Sequence, residues 1–481
     1  MMKTHKAAYC LAVSLSLAGG CATLDFQKVP RAERKRFFEL AAVSSQSLAD
    51  QYAAMADSAD REMFWQKFWK EKDPTPTTRD NERYQEHQRR VAYADTFFPQ
   101  LIHFWDDRGK IYIKYGEPDY REVNPMGDAL YSSDPFAGTD DINTRVGDEP
   151  VTIRRTSGTY GWEKWTYGQL AQTFSFLQKD VGYVLVSDLD AAKSGGYQST
   201  IRSLQAIDAP IPTLSDTLPS DIYRHDYGQP LDFPFVLARF SSGEKSEVWV
   251  SYAVPLGKII YDPASGRGLL NRSIVIFDEN LAESAREESM LTPQKPGDEA
   301  EGGESQAVDL VKFILKPGGY NMAISLMDLN SGKTGIYKYR FSVIDYKAGA
   351  EETSDLMLSG DIRIDSGNGK FNRGGYRIIP QPGSAFKKGR DIYFYYELYN
   401  IRPPGAEPRT LQIRYLIFPK KGKQALSTQK QLITATSEKI SLASGIATAD
   451  LPPGEYILVA EVRDQNNNRV KNAARPFRIY K

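Results

Sequence analysis

Between Arg61 and Tyr120 the apolar positions follow two different periods. Phe64/Phe68 and Trp65/Trp69 are i,i+4 pairs, and Tyr84, His87, Val91, Ala94 and Phe98 recur at spacings of three and four. Each set predicts a helix with one apolar face, the two faces packed together. Pro74 and Pro76 remove backbone donors and hold the residues before them extended, so the first helix must end in DPTPTT. Thr77, Thr78 and Asp80 are the expected caps of the second. Ile111, Ile113 and Tyr115 then alternate with Tyr112 and Lys114, which predicts a strand, and Gly116-Glu117-Pro118-Asp119 supplies turn chemistry. Upstream, residues 31–43 and 47–56 complete a helical cap. Downstream, residues 132–158 read as a long polar loop, and strand periodicity returns at 161–167, 173–177 and 183–187. With 110–115 these strands make a small antiparallel sheet under the helices, an α+β domain over 31–206.

A Pro-rich connector at 209–219 marks the next boundary. Beyond it the chain is nearly all strand and turn. Segments 233–240, 247–255, 273–277, 308–315, 320–327 and 337–344 suit one β-sandwich over 207–350, and 284–306, charged and without an aromatic residue, reads as a disordered loop within it. A second sandwich over 351–481 takes strands at 361–365, 376–379, 391–399, 410–418, 445–450, 456–463 and 476–480. Leu315, Pro317, Gly318, Tyr320, Asp328, Asn330 and Phe341 recur without a gap as Leu451, Pro453, Gly454, Tyr456, Asp464, Asn466 and Phe477, an offset of 136 (456 − 320). In both copies a Pro-Gly turn leads into a strand, a D-x-N turn and a closing strand, the layout of the last hairpin of an immunoglobulin-like domain. The expected fold is thus an α+β N-terminal domain followed by two all-β immunoglobulin-like sandwiches.

The N-terminal patterning points to the envelope. Residues 1–20 join a short basic start to an apolar run and small residues before Cys21, the layout of a lipoprotein signal peptide and too short for a spanning helix. Leu17-Ala18-Gly19-Gly20-Cys21 looks like a lipobox, which predicts cleavage before Cys21 and a diacylglyceryl thioether on it. The expected partner of residues 21–30 is a membrane, reached through that lipid. Ala22, where an Asp would favour inner-membrane retention, makes the outer membrane the expected location. The only other cysteine, Cys10, lies in the signal, so no disulfide is expected. A composition 41% hydrophobic and 12% aromatic is that of a globular chain, and 61 basic against 61 acidic residues leave no electrostatic footprint for nucleic acid.

The run FW..FW..KDPTPTT..NE......RR..YA...F, followed by WDDRGKIYIKYGEPD, resembles the GWxTD-domain family of bacterial envelope proteins over about sixty residues. The name-giving Gly, Trp and Thr are replaced here by His103, Phe104 and Asp106, with Trp105 at the free position, and Asp107 keeps its letter. The resemblance implies an envelope module of unestablished function.

Catalytic spacing is thin. His87, His103 and His225 share no ligand spacing, so no metal or cofactor is expected. Gly332-Lys333-Thr334 lacks the first Gly of a P-loop, Met327 standing in its place, and the Asp464 turn lacks the Gly and Glu of a calcium loop, with Arg469 and Arg475 there instead. The densest polar cluster is Asp106, Asp107, Arg108, Glu117 and Asp119, flanked by Trp105, Tyr112, Trp162 and Trp165. Three readings are open for it: a turn and ion-pair network at the helix–sheet junction; an interaction surface on which Trp105 and Tyr112 stack against a partner or ligand; or a general acid/base pair of Asp107 and Glu117. The leading expectation is a non-enzymatic lipoprotein serving as a structural or adaptor component of an envelope assembly, periplasm-facing or surface-exposed. The alternatives are a glycan- or peptide-binding lipoprotein and a carboxylate-based hydrolase.

Overall fold

The computed structural model describes residues 26–101, 103–124, 130–132, 142–146, 149–154, 161–179, 182–187, 189, 218–219, 221–297, 305–346, 352–402, 406–422, 424–464 and 470–481. The signal segment, Cys21 and most of the 209–219 connector lie outside them. The chain divides into two compact units, Met1–Pro74 with Glu82–His225, and Thr75–Asn81 with Asp226–Lys481.

In the first unit two 3-10 turns precede α1 (Arg34–Val43), α2 (Gln46–Ala54), α3 (Ser58–Glu71) and α4 (Glu82–Phe97). Asp57 starts α3 by accepting from the Ala59 N–H at 2.9 Å. The aromatic face of α3 meets that of α4 as the periodicity predicts: the Trp69 ring lies 5.1 Å from Tyr84 and 4.4 Å from His87. The expected caps of α4 lie ahead of it. Its first residue is Glu82, and the Thr78 hydroxyl instead donates to the carbonyls of Thr75 and Asp80, closing the turn between the helices.

The short strands β1 (Pro99–Gln100) and β2 (Phe104–Trp105) pair and lead into α5 (Asp107–Tyr115). This helix replaces the strand expected at 110–115. Alternation misleads here because the helix is covered on several sides, with Gly109, Ile111, Ile113, Lys114 and Tyr115 all buried, and a helix so enclosed need not show one clean stripe. The ends decide: the Asp106 carboxylate accepts from the N–H groups of Arg108 and Gly109, and Gly116, at φ 80°, stops the helix with its N–H on the Tyr112 carbonyl.

The sheet therefore starts one element later than expected, with β3 (Tyr120–Asn124). Within the stretch expected to be loop, β4 (Leu130–Ser132), β5 (Ile142–Val146) and β6 (Glu149–Arg154) form a sheet of their own in the order β4-β6-β5. Then β7 (Trp162–Tyr167), β8 (Gln172–Lys179) and β9 (Gly182–Val186) join β3 as an antiparallel meander, β3-β7-β8-β9. Helices and meander share one interior that includes Phe37, Tyr52, Trp65, Trp105, Ile111 and Trp165.

Among the described residues, the regular elements of the second unit are all strands. It begins with β10 (Phe235–Ser242), β11 (Lys245–Pro255), β12 (Leu270–Asp278), β13 (Glu283–Leu291), β14 (Gln306–Leu315), β15 (Gly318–Asp328) and β16 (Thr334–Val343). These make two sheets, β10-β11-β14 and β13-β12-β15-β16. The segment expected to be disordered, 284–306, supplies the edge strand β13, paired along β12 from Leu270↔Leu291; residues 298–304 lie outside the described set. Its charges are paired: Arg286 meets Glu283 and Glu288 and also donates to the Thr77 carbonyl, and charged residues of this kind are compatible with an edge strand.

There follow β17 (Glu352–Thr353), β18 (Met357–Ile364), β19 (Asn372–Arg373), β20 (Tyr376–Pro380), β21 (Ala385–Lys387) and β22 (Ile392–Tyr399). The chain closes with β23 (Arg409–Pro419), β24 (Ser427–Ala435), β25 (Ile440–Ile446), β26 (Gly454–Asp464) and β27 (Val470–Tyr480). They form the sheets β17-β22-β18-β20-β19, with β25 also on β22, and β21-β27-β26-β23-β24. The strand expected at 445–450 sits earlier, as β25, and β24 had no counterpart in the sequence reading.

Four sheets enclose three interiors, and strand alternation shows how. On β11, Val248, Val250, Tyr252 and Val254 point into the interior of the first sheet pair, while Trp249 points the other way. On β22, Phe394, Tyr396 and Leu398 fill the interior of the second pair, while Tyr395 faces Trp249's side. Phe240, Trp249, Leu310, Met357, Ile378 and Tyr395 make the third interior between them.

The repeat is structural. β26 and β27 lie at the same offset from β15 and β16 as the repeated residues. Tyr320 stacks on Phe341 at 5.7 Å and Tyr456 on Phe477 at 5.4 Å. Each tyrosine hydroxyl donates to the carbonyl four residues upstream, that of Lys316 or Pro452.

Candidate functional site

The polar cluster sits where α5 meets the meander. Asp106, buried, accepts through Oδ1 from the backbone N–H groups of Arg108 (2.9 Å) and Gly109 (3.3 Å), and through Oδ2 from the Arg108 guanidinium (2.8 Å) and the Tyr183 N–H (3.2 Å). One carboxylate thus caps the helix and ties it to β9. Asp107 makes a second tie to β9: Oδ2 accepts from the Leu185 N–H at 2.8 Å, and Oδ1 accepts from Lys110 Nζ at 2.8 Å.

Arg108 lies between two carboxylates. It reaches Asp106 on one side and Glu163 of β7 on the other, at 2.6 Å, and its guanidinium carbon lies 3.6 Å from the Tyr183 ring centroid. Glu163 in turn accepts from Trp165 Nε1 at 2.8 Å. Burial opposes the charge on Arg108, but the two carboxylates outweigh it and raise its pKa. Burial also pushes the Asp106 carboxyl above its ordinary range, against the pull of Arg108 and the N–H donors.

Glu163 is the member that sequence reasoning missed. Its signal was an acidic residue two positions from a tryptophan on an aromatic strand, Glu163-Lys164-Trp165, and hence on the tryptophan's own face.

The other named residues lie around this cluster. Trp105 and Trp165 are wholly buried, and Trp105 Nε1 donates to Asp95 at 2.8 Å. Trp162 is buried in a separate small cluster with Leu177 and Leu189. The three tryptophans are interior side chains rather than a stacking platform. Tyr112 stacks on Tyr93 at 4.3 Å; burial, and after it Glu117, push its hydroxyl up to about 12. Asp119 accepts from the Gly168 N–H at 2.6 Å, fixing the bend between β7 and β8.

Glu117 is exposed and pairs with Arg121 at 3.4 Å. It lies beyond the C-terminal end of α5 and Asp107 at its start, with the length of the helix, about 12 Å at 1.5 Å per residue, between the two. The two carboxylates of a glycosidase stand roughly 5–9.5 Å apart around one bond, so these two do not converge as an acid/base pair.

Among the described residues no group of three or more His, Cys, Asp or Glu could hold a metal ion, and no helix is long and apolar enough to cross a membrane. His87, fully buried, meets Glu39 at 2.9 Å, and burial lowers its pKa.

No family model and no curated protein matches the chain. Among solved structures it is similar to red sea bream transglutaminase at 7% identity and a TM-score of 0.17, covering 64% of this chain and 37% of that one. It is similar to Bacteroides uniformis β-glucuronidase at 9% identity and a TM-score of 0.20, and to a calcium-binding mutant of β-glucuronidase 2 from the same organism at 10% and 0.18, each covering 48% of this chain and 26% of the other. The chain thus spans well under half of each of these proteins.

Proposed function

We propose that this chain is a lipid-anchored outer-membrane protein that serves as a structural or adaptor component of an envelope assembly. The anchor is Cys21, the first unit is a GWxTD-like module, and the β unit is two immunoglobulin-like sandwiches. One observation carries the structural reading: the carboxylates of Asp106, Asp107 and Asp119 and the guanidinium of Arg108 each hold backbone or a fixed counter-charge at the α5–meander junction. Their geometry does the work of fastening one element to another. The Tyr320/Phe341 and Tyr456/Phe477 hairpins, each with a tyrosine hydroxyl bonded back to an upstream carbonyl, support the immunoglobulin-like assignment.

The test has two parts. Cys21→Ala is expected to release the protein from membranes, and unchanged membrane fractionation would overturn lipidation. Mild-detergent extraction and affinity purification are expected to recover a stoichiometric protein companion that is lost on deleting 207–481. Recovery of the chain alone, with no companion, would overturn the adaptor role.

A further inference from the structure

The second unit holds a cleft that none of the sequence candidates lines. It opens beside the third interior, has a volume of about 430 Å³, and is walled by Glu247, Lys312, Asn368, Asn372, Arg373 and Lys439, with the glycine-rich turn 366–369 along one rim. Its lining is polar, so it offers nothing to a hydrophobic ligand, and its size is that of a small-molecule site.

The charges in it are unevenly matched. Arg373 is partly buried and engaged: Nε and one terminal nitrogen bond both Glu397 oxygens at 2.9 and 3.0 Å, and the other terminal nitrogen lies 3.3 Å from Glu247. Lys439 also reaches Glu397, at 3.0 Å. Glu247 accepts from Trp249 Nε1 in addition to Arg373. Lys312 is left with that same shared carboxylate at 3.9 Å, its ammonium 4.3 Å from the centroid of the buried Trp249 ring. Three cations thus face two carboxylates, and desolvation lowers the Lys312 pKa, as for an ammonium short of counter-charge. Around it, the side chains of Ser366, Asn368 and Asn372 and the free sides of Glu247 can exchange hydrogen bonds with hydroxyl groups.

We propose that this cleft binds a small polyhydroxylated carboxylate of the sugar-acid class, its carboxylate on Lys312 with support from Lys439 and its hydroxyls on Glu247, Asn368 and Asn372. The charge excess selects an anion, and Glu247 in the same wall selects one that also carries hydroxyl donors. The site does not depend on the α5 cluster or on the adaptor reading.

The test is calorimetric titration of the full mature chain with galacturonate, galactose and acetate. Galacturonate is expected to bind saturably at millimolar concentration or below, and both galactose and acetate about tenfold or more weaker. Lys312→Gln is expected to weaken galacturonate about tenfold while leaving thermal unfolding in place. Should that variant fail to fold, Lys439→Gln must show the weakening instead. No saturable galacturonate binding, equal binding of acetate, or full affinity in the folded lysine variant would each overturn the proposal.

Discussion

Two partly buried arginines, one in each unit, are built to the same plan and behave differently. Arg108 lies between Asp106 and Glu163, Arg373 between Glu397 and Glu247. In both clusters a glutamate two positions before a tryptophan accepts from that tryptophan's indole, Glu163 from Trp165 and Glu247 from Trp249. In both, an aromatic ring lies beside the guanidinium, Tyr183 in one and Phe240 in the other. The carboxylates diverge. Burial lifts Asp106 above its ordinary range despite Arg108, whereas burial of Glu397 is outweighed by Arg373, then Lys439 and the Tyr395 hydroxyl, and its pKa falls. The two differ in cations rather than in donors: Glu397 faces both Arg373 and Lys439, whereas Asp106 faces Arg108 and three backbone N–H groups.

The largest effect that would test this contrast is Arg373→Ala. Glu397, fully buried and held ionised, would lose its principal partner, and the variant is expected to cost about 3–5 kcal/mol in urea unfolding. Arg108→Ala should cost less, about 2–3 kcal/mol, because Asp106 keeps three backbone N–H donors and Glu163 keeps the Trp165 indole N–H. Equal losses in the two variants would remove the distinction.

The pH dependence has opposite signs at the two sites. The folded pKa of Asp106 lies above its unfolded value, so its contribution favours folding below the ordinary carboxylate range and is lost as pH rises through the raised value. The folded pKa of Glu397 lies below its unfolded value, so its contribution is present above the ordinary glutamate range and is lost as pH falls through the lowered value. Hydrogen exchange between about pH 3 and 6 should therefore show β22 amides losing protection on acidification in the natural chain, with a flatter slope in Glu397→Gln. Asp106→Asn should leave the β22 slope unchanged and alter only α5 and β9.

The smallest effect expected is that of Glu117→Gln, within about 0.5 kcal/mol, since this carboxylate is exposed and pairs loosely with Arg121. Loss of a cellular phenotype in this variant with stability intact would revive a chemical role for the end of α5.

The legible parts of the sequence were those with one dominant period or one decisive breaker. The α3 and α4 faces, the break at Pro74, the β7–β9 meander and the repeated Pro-Gly hairpins all came through. The strand expected at 110–115 failed because enclosure on several sides erased the helical stripe, and only the capping residues Asp106 and Gly116 told the two apart. The edge strand β13 failed because its charges resemble a solvated loop. The site residues were located as a neighbourhood, but Glu163, Glu247 and Arg373 were not found. Glu163 and Glu247 owe their roles to partners 55 and 126 positions away in the chain, Arg108 and Arg373, and Arg373 also to Glu397, 24 positions away; no local pattern encodes such pairings.

The third interior has a mechanical consequence. Phe240, Trp249, Met357 and Tyr395 are sealed between the two sheet pairs, so bending one pair against the other means wetting them, at a cost on the order of 10 kcal/mol. Tandem β modules joined by a bare linker swing like beads; here buried side chains of both sheet pairs lie against one another. A pull or twist applied to one sheet pair is therefore resisted by these shared side chains before the other pair can be displaced.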